Sequence, residues 1–280
     1  MEMSQSLAQI SDLNVQYVSG KGIPVCALQG VSLRINAGDV TGVLGESGSG
    51  KSTLGLAVTQ LLLPANAECQ GSILFEGQEM ISRKDRELRR ILGKRLSLIP
   101  QDPATALNPV MRAGVQVSEV LRAHLKLKPK ERRNRVLELL HEVGFDHPDK
   151  IASAYPHQLS GGQRQRVVIA QAIACHPALI IADEPTSKLD LPLQMQILEL
   201  MSGVVQKSGA ALLWITHDPT TLAGFADRVV VMRAGQVVES GSTNEVFRQP
   251  KHPYTQKLVG LAKEFTSLAD RGLSTAEYVN

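Results

Sequence analysis

The stretch Gly45-Glu46-Ser47-Gly48-Ser49-Gly50-Lys51-Ser52 constrains this chain more than any other. It matches the GxxxxGK[ST] phosphate-loop pattern in full, follows an apolar run at Val40 to Leu44 and opens a helical pattern at Lys51. Strand, loop and helix in that order are the context the motif requires. Its glycines permit the positive torsions of a tight loop and let backbone N–H groups face phosphate oxygens. The helix start adds partial positive charge. Gly45, Glu46, Ser47, Gly48, Ser49, Gly50, Lys51, Ser52 and Thr53 therefore form the expected nucleotide-binding set. Lys51 is expected to reach the β- and γ-phosphates, and the Ser52 hydroxyl to bind Mg²⁺. A glycine-rich turn that happens to precede a helix accounts poorly for strand, lysine and serine together.

Other short β-branched runs read as buried strands: Leu96 to Ile99, Ala178 to Ala182, Ala211 to Ile215 and Arg228 to Met232. Amphipathic helical patterns lie at Lys51 to Leu63, Lys130 to Val143, Gly162 to Ala174 and Leu193 to Lys207. Alternation of the two predicts an α/β fold with a mostly parallel sheet covered on both faces. Turns at Glu76-Gly77 and Ala234-Gly235 predict antiparallel hairpins beside it. Between Gln101 and Ser160 no strong strand appears, and prolines punctuate a helical segment.

Leu179 to Ala182 ends in Asp183-Glu184, two carboxylates at a strand's C-terminal end, where open α/β sheets bind ligands. Asp183 is expected to hold Mg²⁺ through water, and Glu184 to take a proton from attacking water. Gln101, Asp190 and His217 also follow strands or turns. A single histidine there is ordinarily a surface or core residue; the case for His217 rests on one sheet edge carrying all of these groups.

A net charge of +3 gives no support to nucleic acid as the main partner. The basic runs at Arg86 to Arg95 and Lys126 to Arg135 contain acids and apolar residues at helical spacing and read as solvated faces, although the second also fits a protein-contacting rim. Cys26, Cys69 and Cys175 are far apart, which argues for a reducing compartment and against a cysteine metal site; Cys175 reads as a small core residue. Met1 to Ile10 lacks the pattern of a secretory signal, and Val167 to Ala182 falls short of a membrane span. The expected location is cytoplasmic.

Leu159-Ser160-Gly161-Gly162-Gln163, leading into a helix, resembles the signature of the ABC (ATP-binding cassette) ATPases. In itself it is a second anion-binding helix start, a serine hydroxyl with glycine N–H groups at the positive end of a dipole. The resemblance covers nearly the whole chain. It implies the P-loop ABC ATPase fold: a RecA-like core over 1–103 and 162–255 with an antiparallel β subdomain, a helical subdomain over 104–161, and a short tail over 256–280. It further implies a head-to-tail pair, each ATP held between one phosphate loop and the partner's Ser160, Gly161, Gly162 and Gln163. Tyr17 matches the aromatic that stacks on adenine, with a core-packing tyrosine as the alternative. Gln101 matches the loop that senses Mg²⁺ and the γ-phosphate, Ser187 to Asp190 the loop that communicates across the dimer, and His217 the switch histidine. Lys188 departs from the small residue usual at its position, fitting a specific contact with the partner, a weakened closure or a tolerated surface change.

Gln101-Asp102-Pro103 with Leu107-Asn108-Pro109, Ala154 to Gln158 and His252-Pro253-Tyr254-Thr255 resemble the peptide/nickel importer subfamily. That likeness implies ATP and Mg²⁺ as cofactors, and as partners transmembrane permease subunits, a solute-binding protein and a second, paralogous or identical, ATPase, with the chain peripheral at the cytoplasmic membrane face. No cysteine follows Cys175, so an iron–sulfur site after that last motif is not supported. The tail is too short for an added regulatory β-domain. Residues 104–120 read as a surface for the permeases or as subdomain core. The rival function, a non-transport ABC ATPase of DNA repair or translation, implies long coiled coils or a second cassette, and neither is present.

Overall fold

Val40–Leu44 is buried at all five positions, so the strand before the phosphate loop has both faces covered. The computed structural model describes residues 6–18, 24–62 and 67–260. Along the chain come β1 (Ser6–Val18), β2 (Pro24–Asn36), β3 (Val40–Leu44), α1 (Lys51–Val58), β4 (Ala67–Phe75), β5 (Gln78–Glu79), α2 (Asp85–Ile91) and β6 (Leu96–Ile99). The helical stretch follows, with α3 (Pro103–Ala106), α4 (Ala113–His124), α5 (Pro129–Glu142), α6 (Pro148–Ser153) and α7 (Gly161–Ile173). The chain then returns through β7 (Leu179–Asp183), α8 (Leu191–Ser208), β8 (Ala211–Thr216), β9 (Arg228–Arg233), β10 (Gln236–Ser242) and α9 (Thr243–Arg248).

Two sheets are built among the described residues. The larger runs β10-β9-β3-β8-β7-β6, parallel except for the β9–β10 hairpin. The smaller, β2-β1-β4-β5, is antiparallel throughout. Both expected hairpins are present. The two longest strands, β1 and β2, were not anticipated, because their apolar alternation is interrupted by bulges near Asp12 and Leu13. Their inward residues Ile10, Leu13, Val15, Leu28, Val31 and Ile35 join Leu54, Ala57 and Val58 of α1 in one core cluster. The helix is thus gripped between the sheets. Gly55 makes that possible, since a Cβ there would sit 3.0 Å from Ile215 and 3.3 Å from Ile181.

In the helical stretch, prolines start elements rather than break them. α3, α5 and α6, and a 3-10 turn at Pro156–Gln158, each carry proline in the first turn, where its missing N–H costs nothing. Val117, Leu121, Val136, Leu139 and Leu140 of this stretch share a core with Ile99, Val167, Ile180 and Trp214. Residues 104–120 divide: Leu107, Ala113 and Val117 are buried, while Val110 and Val115 are 79% and 44% exposed. The expected α1 is shorter than the pattern suggested, ending at Val58, and Leu63 lies outside the described residues. Cys175 is half-buried rather than a core residue. Of the expected tail, 261–280 lies outside the described residues. α2 buries none of its residues, and on α5 Arg135 pairs with Glu138 and Glu142. No described helix is long and apolar enough to cross a membrane.

Candidate nucleotide site

Four strand ends point at one place because β3, β8, β7 and β6 are parallel neighbours. Beyond β3 lies the phosphate loop, beyond β6 Gln101, at the end of β7 Asp183 and Glu184, and beyond β8 His217. The sequence expectation of a shared sheet edge is met by the sheet order.

The phosphate loop is shaped by what its glycines lack. A Cβ at Gly45 would lie 2.3 Å from the Met232 carbonyl oxygen, and one at Gly50 2.6 Å from that of Ala27. Gly48 and Gly50 take φ of 80° and 98°. The β9–β10 turn braces the loop, as Gly235 N–H donates to the Ser49 carbonyl at 3.0 Å while its own carbonyl accepts from Gln29 N–H at 2.9 Å. Lys51, 4% exposed, donates through Nζ to the Gly45 and Glu46 carbonyls at 2.8 and 2.9 Å. Burial holds its ammonium below the usual lysine range, opposed by Glu184 and then Asp183. Ser49 Oγ is buried without a partner, an orphan that a phosphate oxygen would satisfy. Glu46, Ser47 and Gly48 are exposed at the loop tip, and Thr53 is half-buried.

Ser52 Oγ donates to Asp183 Oδ1 at 3.0 Å. Burial pushes the Asp183 carboxyl up from the ordinary aspartate range; the Ser52 bond and Lys51 pull down, and Glu184 pushes further up. The Ser52 hydroxyl and the Asp183 carboxylate that meet here are hard oxygen donors of the kind Mg²⁺ takes alongside phosphate oxygens. These residues fit that ion.

Glu184 gathers the rest. Its Oε2 accepts from Gln101 Nε2 at 2.9 Å, its Oε1 lies 3.0 Å from His217 Nδ1, and Lys51 Nζ is 4.0 Å from Oε1. Its backbone is left-handed at φ 44°, an unusual conformation for a glutamate. It is fixed there by its N–H bond to the Ile215 carbonyl at 2.9 Å and by Ser187 N–H and Oγ donating to its own carbonyl. Such a carboxylate, 11% exposed and restrained on both oxygens, is suited to orient water and accept its proton.

Ser160 is brought elsewhere. It caps α7, accepting from Gln163 N–H at 3.2 Å while Gln163 Oε1 accepts from Ser160 N–H at 2.9 Å. Gly162 lets Leu193 approach, since its Cβ would lie 3.2 Å from that side chain. The helix start faces a cavity of about 250 Å³ shared with Gln101, Asp102, Lys188 and Leu189. No hydrogen bond joins 160–163 to the phosphate loop among the described residues, so the two glycine-bearing helix starts, at α1 and α7, are separate. Asp190 caps α8 by accepting from Leu193 N–H at 3.1 Å. Tyr17, near the end of β1, is partly buried against the cluster under the antiparallel sheet. Lys188 makes an intrachain contact, pairing its Nζ with Asp102 Oδ2 at 2.5 Å. Sequence reasoning missed Tyr254, whose hydroxyl accepts the Glu46 N–H at 2.9 Å; the motif around it was visible, but nothing local tied it to residue 46.

Sheet order and strand-end chemistry together place the chain among the P-loop ATPases. The family model described as ABC transporter matches residues 28–187. Oligopeptide transport ATP-binding protein OppD of Bacillus subtilis is 42% identical over 269 residues, covering 96% of this chain and 75% of that one. Dipeptide transport ATP-binding protein DppD of Haemophilus influenzae is 42% identical over 260 residues, covering 93% and 78%. Among solved structures, a dimeric ATP-binding cassette in a post-hydrolysis state with ADP and Pi superposes with TM-score 0.76 at 29% identity, over 84% of this chain and 98% of that one. CbiO1 of Clostridium perfringens, part of the transporter complex cbiONQ, gives 0.73 at 29% identity over 95% and 99%. The chain belongs to the ABC transporter family, as an ATP-binding and ATP-hydrolysing subunit with the ABC ATPase fold.

Proposed function

We propose that this chain is one of two ATPases that power an importer of oligopeptides, dipeptides or comparable small solutes such as nickel. It works at the cytoplasmic face of the membrane against two permease subunits, with a solute-binding protein in the same complex. The peptide reading is supported by what the OppD and DppD relatives are named for. The paired reading is supported by two anion-binding helix starts that do not meet within one chain, and by the dimeric state of a similar cassette.

ATP enters over the phosphate loop, and Lys51 moves its ammonium from the loop carbonyls to the β- and γ-phosphates. The Tyr17 ring stacks on the adenine. Ser52, Gln101 and, through water, Asp183 would hold Mg²⁺, which would supply charge neutralisation at the transferring phosphoryl group. Glu184 takes the proton of the attacking water, and His217 orients that water and contacts the γ-phosphate. Ser160, Gly161, Gly162 and Gln163 close on the partner's ATP, with Asp190 fixing the adjoining loop. Preorganised positioning supplies most of the acceleration. The observation that carries the reading is the Glu184 carboxylate held between Gln101 and His217 beside Lys51. Glu184→Gln in the paired complex is expected to lower ATP turnover by about 10²- to 10⁴-fold while ATP stays bound. Turnover at the parental rate would show that Glu184 is not the base.

A further inference from the structure

The His252-Pro253-Tyr254-Thr255 segment has no part in the chemistry above, yet it touches the phosphate loop. Tyr254 is 6% exposed, and its hydroxyl accepts the Glu46 N–H at 2.9 Å. Arg233 lies over its ring at 5.0 Å from the centroid. Its backbone is fixed before the ring reaches the loop. The Glu239 carboxylate accepts Lys251 and His252 N–H at 2.8 and 3.0 Å, and His252 Nδ1 accepts Tyr254 N–H at 3.1 Å.

One peptide unit is therefore held at both ends. The Gly45 carbonyl accepts from Lys51 Nζ at 2.8 Å, and the N–H of the same Gly45–Glu46 peptide donates to Tyr254. Lys51 has three N–H donors, two of them on the loop carbonyls, so reaching both the β- and γ-phosphates takes at least one donor from the loop. Where the donor given up is the one on Gly45, the carbonyl end loses its partner and the N–H end keeps Tyr254. Close packing of Gly45 under the Met232 carbonyl fixes where this peptide sits but not which way its dipole points.

We propose that Tyr254 is a positioning residue: its hydroxyl holds the Gly45–Glu46 peptide in orientation while Lys51 transfers from loop to phosphate, so nucleotide affinity depends on that one oxygen. The proposal rests on the nucleotide reading of the loop. A tyrosine that only fills space is replaced by phenylalanine without consequence, because ring, burial and the Arg233 contact are all retained.

The test compares the full chain with Tyr254→Phe and Tyr254→Leu, measuring Glu46 amide exchange without nucleotide, Kd for MgATP and MgADP by calorimetry, and Tm. Tyr254→Phe is expected to keep its Tm, speed Glu46 exchange and raise both Kd values by about two- to ten-fold, the range of one hydrogen bond. Tyr254→Leu is expected to do the same and also lose Tm. Parental Kd values in Tyr254→Phe overturn the proposal whatever the exchange rate. Absence of nucleotide binding by the parent overturns the nucleotide reading, and this proposal with it.

Discussion

At the Ser52–Asp183 pair, a buried carboxylate stands ready for a cation, and its cost is visible before the cation arrives. Folding raises the Asp183 pKa, chiefly by desolvation, so the folded chain binds a proton more readily than the unfolded one. The sign follows: this group's contribution is full below the ordinary aspartate range and is lost as pH rises through the raised folded value. Asp183→Asn is expected to raise the Tm of the nucleotide-free chain at neutral pH, with the gain shrinking as the solution is acidified below the ordinary range. The same substitution is expected to remove the Mg²⁺ dependence of nucleotide binding. Thermal scans across pH, with and without Mg²⁺, check both. Lys51 is the mirror case, because burial lowers its pKa and the cost of its charge is relieved only as pH rises through the lowered value. Lys51→Ala is expected to remove the Tm increase given by saturating ATP.

Elements, rather than side chains, decide how rigid the phosphate loop is. Gly45 packs under the β9 carbonyl of Met232, with backbone on one side and Ser49 on the other. A methyl group has nowhere to go, so Gly45→Ala is expected to destabilise the chain by roughly 1–3 kcal/mol, measured by urea titration. Lys188 ties the loop after β7 to the one after β6 through Asp102, both side chains being substantially exposed. Lys188→Ala is therefore expected to leave Tm close to parental and to speed amide exchange over residues 101–107. Most of this layer was legible in sequence. Short apolar runs gave β3, β6, β7, β8 and β9 within a residue or so, and their alternation with helices gave the parallel sheet. What escaped was non-local. β1 and β2 carry bulges that break period-two patterning, and the Tyr254–Glu46 contact spans most of the chain. No local propensity encodes either.

At the level of the whole molecule, the groups at the strand ends and the start of α7 lie apart, and among the described residues no hydrogen bond joins 160–163 to the phosphate loop. Ser160 caps α7, whose first residues Gly161 and Gly162 lie beside Leu189 and Leu193. On the proposed reading, a second subunit placed head to tail would bring the other half of the site, which would account for two such surfaces on one chain. The most direct measurement is the structure of the Glu184→Gln complex trapped with MgATP. The account predicts each γ-phosphate contacted by Lys51 from one subunit and by the signature serine of the other. A single subunit enclosing ATP alone, with Ser160 far from any bound phosphate, contradicts it.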